Sequence, residues 1–220
     1  MLRRLTEEKL EEILEAGIAE FGEHGLARTS MNKIAARAGI SVGVLYKYYE
    51  DKESFFLACV KKSIRELDRT LSETIQKEES LLQCAERLIE ALQRHCREHP
   101  SHIRMYHELT SSGAAELSPG LAQEIEGVTA RLYSGIIDKA RQEGRIRQDA
   151  DPGLFAFFFD NLLMMLQFSC CCDYYRERFS IYCHAAPEEM EAQIRAELLK
   201  FLESAFTVDK EHIIHTNQGE

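Results

Sequence analysis

The sequence predicts an all-α protein of about nine helices, a small three-helix head followed by a larger helical domain. Three observations point there. Apolar residues recur at helical spacing along nearly the whole chain, and no window alternates at period two. Each of the four prolines stands just ahead of an apolar-periodic segment, where a helix can begin. With 45% hydrophobic and 29% charged residues among 220, the composition is that of a folded chain rather than a disordered one.

The elements follow in order. Leu10, Ile13, Leu14, Gly17, Ile18 and Phe21 fall on one face of a first helix, with Glu8, Glu11, Glu12 and Glu15 opposite, and Gly22 and Gly25 are expected to end it. Thr29 or Ser30 can cap a short second helix whose inner face is Met31, Ile34, Ala35 and Ala38. Gly39 can take the positive φ of a sharp exit, and Ser41 can cap a third helix over 42–48. Asp51 is a cap for a long fourth helix carrying Phe56, Val60, Ile64, Leu67 and Leu71, expected to reach Gln76. Further helices are expected near 80–97, 101–111, 119–143, 152–175 and 187–206. Ser118-Pro119 and Asp151-Pro152 read as cap plus first-turn proline, and Gly113 and Gly144 as helix exits. The expected division is a head over 1–52, a helical domain over 53–208, and a polar, disordered tail over 209–220.

Charge is distributed unevenly. The chain sums to 27 − 37 = −10, so it is no generic polyanion binder. Residues 1–52 carry 8 basic and 9 acidic residues, or −1, against 19 and 28, or −9, for the rest. From His24 to Lys52 there are five bases and two acids, a local +3. That window is the electrostatic candidate for a DNA face.

Residues 29–48 read as helix, glycine-containing turn, helix, the arrangement whose second helix enters a DNA major groove. The run ILEAGIAEFGEHGLARTSMNKIAARAGISVGVLYKYYEDKESFF resembles the TetR (tetracycline-repressor-like) family of transcriptional regulators. The matching pattern is Phe-x-x-x-Gly, Thr-Ser, Ile-Ala-x-x-Ala-Gly, Ser-x-Gly-x-Leu-Tyr-x-aromatic-aromatic, then Lys-Glu. Gly17 stands where alanine is usual, and Tyr48-Tyr49 where His-Phe is common. The chemistry agrees. Ser41 offers a hydroxyl to phosphate or a base edge, Gly43 lets the backbone approach the bases, and Val42 can touch a thymine methyl. Tyr46, Lys47 and Tyr48 can reach phosphates, as can Thr29 or Ser30 at the second helix's start and Lys52 at the fourth's. Arg3 and Arg4 could form a minor-groove arm. Leu45 and Tyr49 read as core.

The resemblance implies a homodimer on a double-stranded, palindromic operator, with the last two long helices pairing across the interface. Phe155 and Leu162 on helix 152–175 are the interface candidates there, with Ile194, Leu198, Phe201, Leu202 and Ala205 on helix 187–206. Helix 152–175 is apolar nearly all round, so a second side can face a ligand cavity. Met105, Tyr106, Phe158, Asn161, Met164, Met165 and Phe168 are the candidate lining, of types suited to an apolar or amphipathic small-molecule effector. Asp160, Asn161 and Gln167 inside that helix need polar partners. The fourth helix, joining head to ligand half, is the natural lever, because the two recognition helices must match grooves about 34 Å apart.

Other constellations weigh less. His95, Cys96, His99 and His102 form no closed zinc quartet, so no metal is expected. Cys170, Cys171 and Cys172 point about 100° apart on a helix and read as packing, with thiol sensing as the alternative trigger. No phosphate loop, nucleophile elbow or His-Glu-x-x-His marks an enzyme, and no cofactor is expected. Met1–Leu5 leads into glutamates rather than an apolar signal region, and the apolar stretch 154–172 is interrupted by Asp160, Asn161 and Gln167. A cytoplasmic regulator without a membrane segment is therefore expected, the competing reading being a helical binding protein that does not read DNA.

Overall fold

Thr6 opens the chain's first helix, α1 (Glu7–Arg28), by accepting from the Lys9 amide. The structure is a computed structural model that describes residues 5–75, 80–111 and 120–206. Among these residues it holds ten α-helices and no strand. The others are α2 (Met31–Arg37), α3 (Val42–Tyr48), α4 (Lys52–Thr74), α5 (Leu81–Glu98), α6 (Pro100–Ser111), α7 (Leu121–Gln142), α8 (Pro152–Cys171), α9 (Asp173–Cys183) and α10 (Glu191–Phe206). A 3₁₀ turn, Pro187–Glu189, leads into α10. Arg3, Arg4, Gly113, Ser118, Pro119 and the tail 209–220 lie outside the described residues.

Caps account for most boundaries. Ser30, Asp51, Ser80 and Asp151 each accept a backbone N–H in the first turn that follows, which satisfies a donor no helix can satisfy internally. Asp51 and Ser80 form reciprocal boxes with Ser54 and Gln83. Three expected boundaries shift. Gly22 does not end α1; the chain bends only at Gly25, whose φ of 73° a side chain would strain. Gly22 instead lies against the backbone of Ser101, where an added Cβ would meet the Ser101 carbonyl oxygen at 2.6 Å. The expected single helix 152–175 is two, broken at Cys172 and continued by α9, which sequence periodicity missed. No proline or glycine marks that break. Arg104 and Arg176 donate to the freed carbonyls of Cys171 and Cys170 at 2.8 Å each, so side chains from elsewhere stabilise the stop. The last helix begins at Glu191 rather than 187.

The helices enclose three buried clusters. The first gathers Ile13, Ile18, Phe21, Ile34, Leu45, Phe55 and Phe56 of α1–α4 with Met105 and Leu109 of α6 and Leu121 and Ile125 of α7. The head core therefore runs without interruption into the larger domain. The second cluster joins α5, α7, α8 and α10 around Leu88, Tyr133, Phe159, Leu163 and Leu202. The third, smaller, holds Cys96, Ile103, Phe168, Cys171 and Cys172. Each fully buried Phe or Ile contributes about 1.5–3 kcal/mol against exposure. The most extensive helix contact is α1 on α6.

Gly17 sits at the tightest point of the first cluster. A Cβ there would lie 2.4 Å from Phe55 Cε1 and 2.7 Å from Cys59 Sγ. Phe55 is fully buried, its ring 4.7 Å from Tyr49 and 6.0 Å from Phe21, so it has no room to retreat. Helix propensity favours alanine at this position by about 1 kcal/mol, and overpacking opposes it by about 1–3 kcal/mol. Gly17→Ala is expected to lower the urea midpoint, and a raised midpoint would show that Phe55 yields.

Candidate functional site

The turn between α2 and α3 is built as the spacing requires. Gly39 has φ 67°, and the Ile40 amide returns to the Ala35 carbonyl at 3.0 Å. Leu45, 1% exposed, pins α3 to the core, and Tyr49 packs edge-on against Phe55. This fixes the outward side of α3. Ser41, Gly43, Tyr46 and Lys47 are exposed there, and Val42 is half-buried against the first cluster. Ser41 makes no side-chain cap bond and Gly43 has nothing within 4 Å of its missing Cβ. The face thus offers a hydroxyl, an open backbone, a phenol and an ammonium. Ser30 is exposed at the start of α2, accepting from the Lys33 amide at 3.4 Å.

Three expected phosphate contacts also have partners within the head. Thr29 is 3% exposed and its hydroxyl donates to the Glu20 carbonyl at 3.0 Å, so it staples the end of α1 rather than opening α2. Lys52 donates to the Leu26 and Ala27 carbonyls at 2.8 and 3.5 Å, closing the end of α1 beyond Gly25. The Tyr48 hydroxyl, half-buried, accepts from the Leu5 amide at 2.8 Å. Arg37 is also committed, to Glu20 at 2.9 Å and Glu23 at 3.1 Å, and those carboxylates hold its guanidinium above the ordinary arginine value.

Behind the head lies a narrow cavity of about 80 Å³ between α4, α5, α6, α7 and α8. Met105, Tyr106 and Met164 line it, as do Val60, Ile64 and Leu67 of α4. It adjoins an outer hollow lined by Asn161, Met165 and Phe168, and the two share Tyr106, Glu126, Thr129, Asp160 and Met164. Phe158 belongs to neither. It is 56% exposed and faces a groove between α8 and α10, because α8 turns its other side to the cavity. Asn161 donates to the Phe157 carbonyl at 2.7 Å and Gln167 to Leu163 at 3.4 Å, so their own helix satisfies them. Burial and the charge of Glu126 push the Asp160 carboxyl up to about 6, against a hydrogen bond from Thr129. Burial first, and then Glu126, raise the Tyr106 phenol, which stays a donor to Glu126 Oε1 at 3.0 Å. Glu126 and Thr129 carried no signal in sequence, since they stand beside the apolar stripe of α7.

A polar node joins this cavity to α1. Lys62, 6% exposed, has its ammonium 2.5 Å from Glu11, 3.1 Å from Glu15 and 2.6 Å from Glu66. Burial alone would depress its proton affinity, and the three carboxylates reverse that. His102, on the cavity wall, has Nε2 3.4 Å from Glu15 and Nδ1 3.0 Å from the Ser63 hydroxyl. His102, then Lys62, hold Glu15 at about 2. Glu15, Glu66 and His102 are spaced as metal ligands, as are Glu20, Glu23 and His24, but Lys62 and Arg37 already stand among those carboxylates as the cation. His95 also lines the cavity, 5.1 Å from His99 and 5.8 Å from His102 ring to ring. Burial and the neighbouring imidazoles push it down to about 4, against Glu66.

On the far side, α8 and α10 leave Phe158 and Phe201 more than half exposed. Phe155, Leu162, Ile194 and Leu198 are half-buried beside them, as is Ala205. Leu202, expected at the interface, is 2% exposed inside the subunit's own second cluster. Its turn of α10 faces α5 and α8 rather than outward. Of the cysteine run, Cys171 and Cys172 are buried with Cys96 of α5, and Cys170 is half-buried.

Residues 13–59 match the family described as "Bacterial regulatory proteins, tetR family". The HTH-type transcriptional repressor SCO4008 of Streptomyces coelicolor is 31% identical over 141 residues, 64% of this chain and 68% of that protein. A TetR family transcription regulator from Marinobacter aquaeolei superposes with a TM-score of 0.62 at 28% identity, over 74% of this chain and 83% of its own. The regulator FadR from Bacillus subtilis, solved in complex with stearoyl-CoA, superposes at 0.67 and 18% identity, over 86% of this chain and 97% of its own. At that identity the likeness shows the fold.

Two predictions follow from the local geometry. Lys52→Ala should cost about 1–2 kcal/mol in urea unfolding through the uncapped α1, while changing the salt slope of DNA binding less than Lys47→Ala does. A slope that drops by about 1 for Lys52→Ala would restore it as a phosphate contact. For His95, the folded value near 4 lies below the unfolded 6.5, so the unfolded chain takes the proton first. Stability should fall as pH drops from 6.5 toward 4, and His95→Gln should make that fall shallower by about 1–3 kcal/mol. Parallel pH profiles for the two proteins would rule the idea out.

Proposed function

The chain belongs to the TetR family of bacterial regulatory proteins, and from that premise we propose that it is a homodimeric, cytoplasmic repressor released from a palindromic operator by a small apolar or amphipathic effector. The DNA-binding regulator itself is the family's common property. The observation that carries the present reading is the pairing of two surfaces on one fold. An outward α3 face presents Ser41, Gly43, Tyr46 and Lys47, and a cavity wall is made by α4, the helix that follows directly on the head.

The roles follow from position. Ser30, Ser41, Tyr46 and Lys47 contact phosphates or base edges, Val42 and Gly43 lie nearest the bases, and Thr29, Tyr48 and Lys52 hold the head in shape. The aromatic face of α8 and α10, with Phe158 and Phe201 at its centre, pairs with its copy. An apolar patch on two helices matches the two-fold, self-complementary contact of a dimer. An effector that fills the cavity pushes on Val60, Ile64 and Leu67 of α4 and alters the separation of the two heads. No catalytic step is assigned.

The test is fluorescence anisotropy on DNA from upstream of the protein's own gene against scrambled DNA, across a salt series. Tight binding to the native fragment with two protomers per site is expected. Equal, weak and steeply salt-dependent binding to both would remove the operator reading. Phe201→Glu should yield monomers in sedimentation and lose operator affinity at least tenfold, and a variant that stays dimeric would displace the interface from this face.

A further inference from the structure

Three thiols meet where α5, α6 and the break between α8 and α9 come together. Cys171, the last residue of α8, has its Sγ 3.7 Å from the Cys96 carbonyl oxygen on α5. The Cys96 thiol is within hydrogen-bond reach of both Cys170 and Cys171. All are free, and the other buried thiols, Cys59 and Cys84, belong to different clusters. Cys170 and Cys171 make a poor disulfide with each other, because consecutive Cα atoms stand about 3.8 Å apart, below the usual range of about 4.4–6.8 Å. Cys96 comes from a second helix and has no such restriction. The setting is electropositive. Arg104 of α6 and Arg176 of α9 donate to the Cys171 and Cys170 carbonyls at 2.8 Å each, which brings two guanidiniums beside the sulfurs. The hydrogen bond from Cys96 holds the Cys171 thiol below the ordinary thiol value; burial opposes this, and the charges of Arg104 and Arg176 add to it. Cys96 is pushed the other way, by Cys170 and Cys171 first, and keeps its proton. Cys171 is 1% exposed, yet with Cys172 it lines a surface cleft of about 380 Å³ that Gly22, Gly25 and Arg28 at the end of α1 also line.

We propose that Cys171 and Cys96 are a hydroperoxide-responsive pair, Cys171 the attacking sulfur and Cys96 the resolving one, and that their disulfide loosens the head's hold on DNA. In the first step the Cys171 thiolate attacks one oxygen of a hydroperoxide that has entered the cleft. The S–O bond forms, the O–O bond breaks, and the leaving oxygen takes a proton to become an alcohol, or water if the oxidant is hydrogen peroxide. Cys171 is then a sulfenic acid. In the second step the Cys96 sulfur attacks that of Cys171, the S–O bond breaks, and the hydroxide leaves as water with the Cys96 proton. Two electrons pass from the two sulfurs to the peroxide. The route to the head is short. The bond draws Cys171 toward α5, and Arg104, which holds the Cys171 carbonyl, belongs to α6. That helix makes the most extensive helix contact, with α1, and its Ser101 lies against Gly22 with no space to spare. A shift of α6 is therefore passed to α1. The bond itself rests on this cluster alone, and its effect on DNA rests on the reading of the chain as an operator-binding regulator. In a reducing compartment such a bond is transient, which suits a sensor rather than a structural staple.

The test treats the reduced, full-length protein with hydrogen peroxide and maps the products by mass spectrometry after proteolysis. The peptide carrying Cys96 is expected joined to the one carrying Cys170, Cys171 and Cys172, with fragmentation placing the bond at Cys171. Species joined between molecules through the exposed Cys183 separate by mass. Anisotropy on operator DNA is expected to show about tenfold weaker binding after oxidation, restored by dithiothreitol. Cys171→Ser should bind the operator and ignore peroxide, and Cys170→Ser should keep both the bond and the response. Cys96→Ser should leave a sulfenic acid on Cys171 that dimedone traps. Thiols that stay reduced, or a bond that omits Cys96 or Cys171, would overturn the pair. A Cys96–Cys171 bond with unchanged operator affinity would overturn the link to the head. If the reduced protein does not bind the operator, the regulator reading fails, and the bond is still judged by mass. The wild-type mapping needs no variant, so a misfolded substitution cannot obscure the result.

Discussion

Lys62 is a buried ammonium, and much of the structure is arranged to keep it neutralised. An isolated charge at that depth would be strongly unfavourable, so removing it from water is tolerable only with carboxylates on several sides. Glu11 and Glu15 come from α1 and Glu66 from α4 itself. The glutamates that a sequence reading assigns to the solvent face of α1 are thus split, with part of the row turned onto α4. His102 attaches to the same carboxylate and faces the cavity. A displacement of α6 or α4 at the cavity must therefore rearrange a charge-assisted contact on α1. That contact is a physical route by which an occupant's presence can be felt in the head.

What sequence could show was local, and what it could not was tertiary. The inner face of α1, the caps at Ser30, Asp51 and Asp151, and the positive φ of Gly39 follow from spacing and side-chain chemistry, and the structure has them all. Gly22 was misjudged because a glycine that permits close approach and one that ends a helix look the same until Ser101 is in place. Thr29 and Lys52 fit a phosphate site by type and by the family's pattern, and spacing could not show that both also reach backbone carbonyls of α1. On α8 every side is apolar, so periodicity had no means of separating Phe158, which faces outward, from Phe168, which faces the hollow. Leu202 shows the same limit on α10. Asp160 stood out in sequence as a misplaced charge, but Glu126, its counterpart, stands on another helix where a glutamate is unremarked.

The chain's acidity and its DNA-binding role are compatible because the positive groups are few and placed. Arg37 and Lys52 are spent on internal partners, which leaves α3 with Lys47 as a charge and Ser41 and Tyr46 as neutral donors. A face of that kind relies on geometry more than on bulk attraction. Nonspecific affinity should then be low for a regulator of this size, and correct spacing of two heads correspondingly important.

Helix α8 has one more consequence, which belongs to synthesis rather than to the finished fold. By length and composition Pro152–Cys171 is able to cross a membrane. It leaves the ribosome before α10, the helix that shelters part of it, has been made. For that interval the segment is a candidate for the insertion machinery. An aspartate near the middle of such a stretch opposes insertion by about 2.5–3.5 kcal/mol. Asp160 occupies that middle, so a carboxylate on the cavity wall also lowers the tendency of this stretch to enter a bilayer.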